Sequence, residues 1–270
     1  MKVISLTSIP PRFPSLGATL SSLLQQGADE VWLHVPKAYR RFPEWDGTLP
    51  KVPKGVQLRR CDADYGPATK VLPACRDLAG MEAQILFCDD DGTFAPHWAS
   101  RLFKLQAQRP REAVAAYVRS VNGYVANAVT GRNRPLAWQI PIAWDVPYRL
   151  GRLMFKYLGM PQPWRRPFFR AGYGDIFFGV GGVVIRPEFL DEIAFDVPAE
   201  AWAVDDIWLS AQLARRGIPV YCPFRHPLPM ALAHADASSL FDMTVNGKDR
   251  QMLNRSAAEY CRDRFQIWVN

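Results

Sequence analysis

The stretch ILFCDDDGTF, Ile85 to Phe94, runs an apolar segment straight into three consecutive aspartates. Three like charges side by side repel one another. An Asp-Gly turn after a strand accounts for one of them, or two, as solvated turn residues; it does not account for three. Two chemical readings remain. As hard oxygen donors, Asp89, Asp90 and Asp91 can hold a divalent cation that carries a diphosphate. Alternatively, Asp89 is a nucleophile and Asp91 an acid/base. Both readings place the aspartates at the end of a strand, so the surrounding elements decide what the stretch belongs to.

Upstream, Val3 to Leu6, Val31 to Val35 and Val56 to Arg60 read as strands, which makes Ile85 to Cys88 the fourth. Pro14 and Ser15 open a helix with Leu16, Leu20, Leu23 and Leu24 at i, i+4, i+7 and i+8, and Gly27 stops it. Ala68 to Leu78 reads as a helix or turn. Downstream, Trp98, Leu102 and Leu105 mark a helical face, and Ala113 to Val118 a strand. Regular elements return with a strand at Gly182 to Arg186, a helix at Asp206 to Arg216 and a strand at Ile218 to Tyr221. Strands alternating with helices predict an α/β fold, with a mostly parallel, Rossmann-like sheet flanked by helices. Such sheets bind ligands beyond the carboxyl ends of their strands.

Between Arg119 and Gly174 the pattern breaks. PLAWQIPIAW and PQPWRRPFFRAGYGD are rich in proline, aromatic residues and arginine, so no long regular element is expected there. Aromatic rings and guanidinium groups can stack on sugars or bases. The segment reads as a lid or acceptor-binding excursion, or else as an oligomeric or domain-swapped surface.

The 270 residues carry 33 Lys and Arg against 26 Asp and Glu, a net charge of +7. A basic surface suits an anionic partner such as a nucleotide, a nucleic acid or an acidic membrane, and it also serves solubility alone. Five cysteines (Cys61, Cys75, Cys88, Cys222, Cys261) with no CxxC pair argue against a disulfide framework and against a zinc site. No apolar run approaches the roughly 20 residues of a membrane span. MKVISLTSIPPRF reads as a first strand rather than a signal peptide. The expected location is therefore the cytoplasm, with peripheral association at the inner face of the membrane left open.

Three more stretches bear on chemistry. CDADYGPATKVLPA, Cys61 to Ala74, places Asp64 and a Gly-Pro turn before Thr69 and Lys70 at a helix start. A helix N-terminus beside a lysine suits an anion; taken alone, the stretch reads as a capped helix start with Lys70 in solvent. In TSIPPRF, Thr7 to Phe13, backbone and hydroxyl groups can hold a base or ribose, and Arg12 can face a diphosphate. An ordinary proline-rich turn is the alternative. In AVDDIWLSAQLARRGIPVY, Asp205 and Asp206 open a helix. Capping explains one of them; the second follows the glycine-rich FFGVGGVVIRPEFL and points to chemistry.

TSIP…R, GPATK, DDD, a Gly-rich strand and a DD helix, in that order, resemble nucleotide-sugar-dependent glycosyltransferases of the GT-A fold. The resemblance spans most of residues 1–118 and 175–235. It implies one GT-A-like domain over 1–270: a nucleotide-binding half (1–118), an acceptor or lid segment (119–174), a catalytic half (175–235) and a C-terminal tail (236–270). The implied reaction moves a sugar from a nucleoside-diphosphate sugar to a hydroxyl of a glycan, lipid-linked or other acceptor, with Mn²⁺ or Mg²⁺ and without nucleic acid. Asp91 would be the chief metal ligand. Asp89 and Asp90 would contact ribose or metal-bound water, with Asp89 also within reach of the metal. His234 would complete the metal site, with His226 as second choice and His34 and His97 as structural or surface residues. Thr7, Arg12, Asp64 and Lys70 would serve the donor, and Gly181 and Gly182 would let the backbone approach the sugar. Asp206 would be the base for inverting displacement, with Asp205 beside it.

The spelling hhhhDxDGT also matches the haloacid dehalogenase-like phosphatases. That signature normally closes the first strand of its domain, whereas three strands precede it here. A catalytically inactive nucleotide-sugar- or carbohydrate-binding module is a third reading.

Overall fold

The computed structural model describes residues 1–126, 128, 134–232 and 249–269. Strands β1 (Lys2–Thr7), β2 (Glu30–Pro36), β3 (Val56–Cys61) and β4 (Gln84–Phe87) form where the apolar runs predict them. The runs in β1, β2 and β4 are buried on both faces, as strands inside a parallel sheet must be. With β5 (Ala113–Ala115), β6 (Gly172–Gly174), β7 (Val183–Ile185) and β8 (Val220–Cys222) they make one sheet of order β6-β8-β5-β7-β4-β1-β2-β3. β1 is parallel to β2 and β4, β2 to β3, and β5 to β8. β7 runs against both its neighbours, and β6 against β8.

Alternation along the strands divides the core in two. Val3, Ile85, Phe87, Val183 and Ile185 face α2 (Leu72–Asp77), α5 (Asp205–Arg215) and α6 (Arg250–Phe265). Ile4, Leu6, Leu86, Val114 and Val184 face α1 (Leu16–Leu24) and α3 (Trp98–Ala107). The five cysteines are free thiols, four of them buried.

Several expectations need correction. The strand expected over Ala113 to Val118 ends at Ala115; Val118 and Arg119 leave the sheet and pair with Ile176 and Phe177. The Ala68–Leu78 element is a 3₁₀ turn, Gly66–Lys70, followed by the short α2. Residues 250–265, expected as part of a tail, form α6, which buries Ala257, Ala258 and Cys261. The largest departure lies in 119–174, where α4 (Val146–Leu158) runs for 13 residues. Its one proline does not break it, because Pro147 sits in the first turn, where a missing N–H costs nothing. Asp145 caps it by accepting from the Tyr148 N–H (3.4 Å), and Gly159, at φ 63°, ends it. No helix among the described residues is long and apolar enough to cross a membrane.

Candidate active site

Chain segments leaving the carboxyl ends of β1, β2, β3 and β4 meet the N-terminus of α5 around a cleft of about 430 Å³. This is where a parallel sheet leaves room for a ligand. The turn that carries the chain out of β5 brings Tyr117 and Arg119 to the same cleft.

The three aspartates after β4 do different things. Asp90 is buried and faces into the protein: Ser8 Oγ donates to one oxygen and Arg12 Nη1 to the other (2.6 Å). The Thr19 hydroxyl donates to its carbonyl (2.9 Å). With both carboxylate oxygens engaged, Asp90 braces the turn, and it also borders the cleft. Asp89 and Asp91 flank it and stay partly exposed to the cleft. Burial, then the neighbouring Asp89 and Asp90, raise the Asp91 carboxyl to about 6, against the pull of Arg12 (3.4 Å).

Lys70 is the hub of the site, not the solvent-exposed residue of a simple capped turn. Ser5 Oγ on β1 donates to its carbonyl (2.7 Å) and fixes the GPATK turn beneath the cleft. Its ammonium is buried and lies 2.6 Å from Asp89 Oδ1, 3.0 Å from Asp205 Oδ2 and 3.9 Å from Asp206 Oδ1. Burial alone would lower its pKa; Asp205, Asp89 and Asp206 outweigh that and hold it well above the usual lysine range. A buried charge is tolerable only when so compensated.

Asp206 faces this cluster from α5. Its Oδ1 accepts from the Gly179 N–H (2.9 Å), and one turn later Ser210 Oγ accepts from the Phe177 N–H (3.0 Å). The helix is thus fastened to the strand that precedes the Gly-rich turn. Burial first, then Asp205, raise the Asp206 carboxyl to about 7, with Lys70 opposing. A buried carboxyl with a pKa near neutrality can take up or release a proton at working pH.

The expected glycine assignment shifts by two residues. A Cβ at Gly181 would lie 2.9 Å from Tyr117 Cβ, and one at Gly182 2.1 Å from Trp98 Cζ2. Both glycines serve packing, and neither lines the cleft. Gly179 does not line the cleft either, but it packs against the charged cluster: a Cβ there would lie 2.3 Å from Lys70 Nζ and 3.1 Å from Asp89 Oδ1. Thr7 borders the cleft, but its hydroxyl donates to the His34 carbonyl (2.8 Å). Asp64 accepts from the backbone N–H groups of Gly66 (2.8 Å) and Arg40 (2.7 Å) and so shapes the GPATK turn. Ser8, Gly179, Tyr117 and Trp202 complete the surroundings and were not singled out by the sequence. Ser8 adjoins Thr7 and Gly179 lies in the quoted Gly-rich stretch, but their partners are distant in the chain.

The histidines divide clearly. His226 is buried away from the cleft, in a loop held where the Arg225 N–H donates to the Phe168 carbonyl and the Leu228 N–H to that of Arg165 (each 2.8 Å). Its two ring nitrogens have no hydrogen-bond partner, and burial, with Arg101 and Arg166 nearby, lowers its pKa to about 3. It is a packing residue, not a ligand. His34 is buried in β2 and His97 lies on the surface before α3, as expected. His234 lies outside the described residues. The chain leading toward it pairs Met230–Ala231 with Gly92–Thr93, and the Leu232 N–H donates to the Asp91 carbonyl (2.9 Å).

Among the described residues, no three His, Cys, Asp or Glu side chains form a metal-binding group. Asp89 and Asp91 nonetheless offer two hard oxygen donors on the cleft wall. Burial first, then the crowding of Asp89 and Asp90, raise the Asp91 pKa, and a divalent cation would relieve that crowding. The residues present therefore fit Mn²⁺ or Mg²⁺ at an open, incomplete ligand set.

No protein-family model and no curated protein sequence matches the chain. Solved structures do. The mannosyltransferase PcManGT from Pyrobaculum calidifontis, in complex with GDP-Man and Mn²⁺, gives a TM-score of 0.42 at 16% identity, over 82% of this chain and 53% of that one. GalNAc-T7 with UDP, GalNAc and Mn²⁺ gives 0.50 at 10% identity, over 97% of this chain and 47% of that one. The chain spans about half the length of these structures. The similarity to GalNAc-T7 shows the fold: the architecture is GT-A-like, as the motif order implies.

Proposed function

We propose that the chain is a metal-dependent glycosyltransferase, moving a sugar from a nucleoside-diphosphate sugar to the hydroxyl of a glycan or lipid-linked acceptor with inversion. The observation that carries this reading is one cleft in which a partly exposed carboxylate pair, Asp89 and Asp91, meets a buried carboxyl, Asp206, raised to about 7. The first pair suits a metal diphosphate and the second group suits proton transfer. That GalNAc-T7, of the same fold, holds UDP and Mn²⁺ supports the donor assignment.

Each residue then has a defined task. Asp89 and Asp91 hold the divalent ion, with His234 as the proposed third ligand because the chain approaches Asp91 at Leu232. When bound, that ion neutralises charge on the departing diphosphate. Arg12, fixed by Asp90, adds positive charge on the same side. Asp206 accepts the acceptor's proton as its oxygen bonds to the anomeric carbon, and the carbon–oxygen bond to the diphosphate breaks, its electron pair leaving with the diphosphate. Gly179 and Lys70 both contact Oδ1 of Asp206, which leaves Oδ2 for that proton. Asp205 balances Lys70 and so sets the charge around the base.

The phosphatase reading draws on the DDDGT spelling, which has another explanation. Gly92 and Thr93 pair with Met230 and Ala231, and a Cβ at Gly92 would lie 3.1 Å from Pro229 Cβ. β4 is moreover the fourth strand of the chain, not the first.

A thermal-shift panel of nucleotide sugars, with and without Mn²⁺, tests the proposal. A ligand that binds only the folded state stabilises it by about 2.7 kcal/mol at 100 times its Kd. At least one nucleoside-diphosphate sugar should raise the melting temperature more with Mn²⁺ than without. Hydrolysis of simple phosphomonoesters with no nucleotide-sugar binding would favour a phosphatase; donor binding without hydrolysis or transfer would favour an inactive module.

A further inference from the structure

Helix α4, VPYRLGRLMFKYL, buries none of its residues. Val146, Leu150, Leu153 and Tyr157 fall at i, i+4, i+7 and i+11, a single stripe along the helix. All four are exposed, by 64%, 56%, 53% and 69%. Trp144, 74% exposed, extends this surface at the N-terminal end, and Leu158, 70% exposed, at the other. Arg149, Arg152 and Lys156 form a second stripe beside the first, each one residue before an apolar member. A different side of the helix meets the protein, where a Cβ at Gly151 would lie 3.0 Å from Pro163 Cγ.

Charge selects the occupant. Between residues 134 and 170 there are seven Lys and Arg and one acidic residue, Asp145, which is buried as the helix cap. A second copy of the chain seated on this stripe would bring the two basic stripes together. At 13 residues the helix is about 20 Å long, too short for a bilayer core of roughly 30 Å. An apolar stripe edged by basic residues, on a helix too short to span, is the pattern of an interfacial helix.

The geometry points to α4 as a docking helix for an anionic membrane surface, lying in the plane of the bilayer with its apolar stripe among the acyl chains and its basic stripe at the lipid phosphates. The segment that leads into the helix reaches the cleft. Trp138–Gln139 pairs with Phe168–Arg170, and Gln139 Nε2 donates to the hydroxyl of Tyr117 (3.3 Å), which lines the cleft. Docking would hold the cleft beside the bilayer whatever reaction occurs there.

Co-sedimentation of the full chain with phosphatidylcholine vesicles, with and without phosphatidylglycerol, tests this. Binding should require phosphatidylglycerol and weaken with salt. Each basic residue near an anionic surface contributes about fivefold to partitioning, so Arg149→Gln, Arg152→Gln and Lys156→Gln together should cost on the order of a hundredfold. Leu150→Ser with Leu153→Ser keeps every charge and should also abolish binding. All five positions are exposed, and unchanged melting temperatures would exclude unfolding. Failure to bind phosphatidylglycerol vesicles would overturn the inference, as would binding that both variants leave intact. Self-association without vesicles, removed by the leucine variant, would assign the stripe to a second copy instead.

Discussion

α5 and α4 are helices of similar length that treat hydropathy in opposite ways. α5 buries nine consecutive residues, Asp205 to Leu213, including two aspartates, a serine and a glutamine. α4 carries more large apolar side chains and buries none. Burying Asp205 and Asp206 would be ruinous without Lys70 and the Gly179 N–H, so their position is explained by what gathers around them. Leu150, Leu153 and Trp144 are apolar surface that nothing among the described residues covers. Each helix departs from the usual rule of burial, one by enclosing charge around a buried cation and the other by leaving apolar side chains in solvent.

Substitutions can break or sharpen this contrast. Asp206→Asn should cost the most. Asparagine keeps the size of aspartate and an oxygen that can accept from the Gly179 N–H, so the fold and donor binding should survive, while transfer slows by roughly 10²–10⁴-fold, the usual contribution of a positioned base. Steady-state rates and the anomeric configuration of the product check this; near-normal turnover or retained configuration would remove Asp206 from the chemistry. Lys70→Met comes next. It strands three carboxylates around an apolar side chain and should destabilise the protein by about 3–5 kcal/mol in urea denaturation. A loss under about 1 kcal/mol would mean that the cluster is not a compensated buried network.

His226 should give a smaller, pH-dependent effect. Its folded-state pKa of about 3 lies below the unfolded value near 6.5. The unfolded chain therefore binds the extra proton between those values, and stability is lost as pH falls below about 6.5. From pH 7 to pH 5 the loss reaches about 2 kcal/mol. Relative to the unsubstituted protein, His226→Gln should be more stable at pH 5 than at pH 7 by up to that amount. Denaturation at the two pH values measures the difference. Smallest of all, Leu150→Ser with Leu153→Ser should leave folding stability within about 0.5 kcal/mol, because exposed side chains contribute little. A loss of 2 kcal/mol would show that the α4 stripe is covered within the chain itself.

The sequence showed the site better than its surroundings. Asp89 to Asp91 and Asp205–Asp206 are legible because too many charges stand beside apolar runs for a turn or a cap to explain, whereas Lys70, read alone, belongs in solvent and only its three carboxylate partners show otherwise. The bracing role of Asp90 is not legible in a run of identical side chains, because its partners Ser8 and Arg12 lie some 80 residues away. Gly179 was passed over for Gly181 and Gly182 since the three look alike until Lys70 lies beneath the first. α4 was missed for a different reason. The prolines around it suggest irregular chain, yet Pro135 and Pro141 precede it, Pro147 lies in its first turn and the rest follow its end, and the stripe at 146, 150, 153 and 157 has helical spacing throughout.

On the proposed function, Asp89 and Asp91 bind a nucleoside diphosphate through a divalent ion. Calorimetric titration of UDP and GDP into the protein, with and without Mn²⁺, and into Asp91→Asn, tests it most directly. One of the two should bind markedly tighter with Mn²⁺. Asp91→Asn should weaken that metal-dependent binding at least about tenfold, a loss that even outer-shell changes produce, at an unchanged melting temperature without ligand. Equal affinity with and without Mn²⁺ in the unsubstituted protein would contradict the claim.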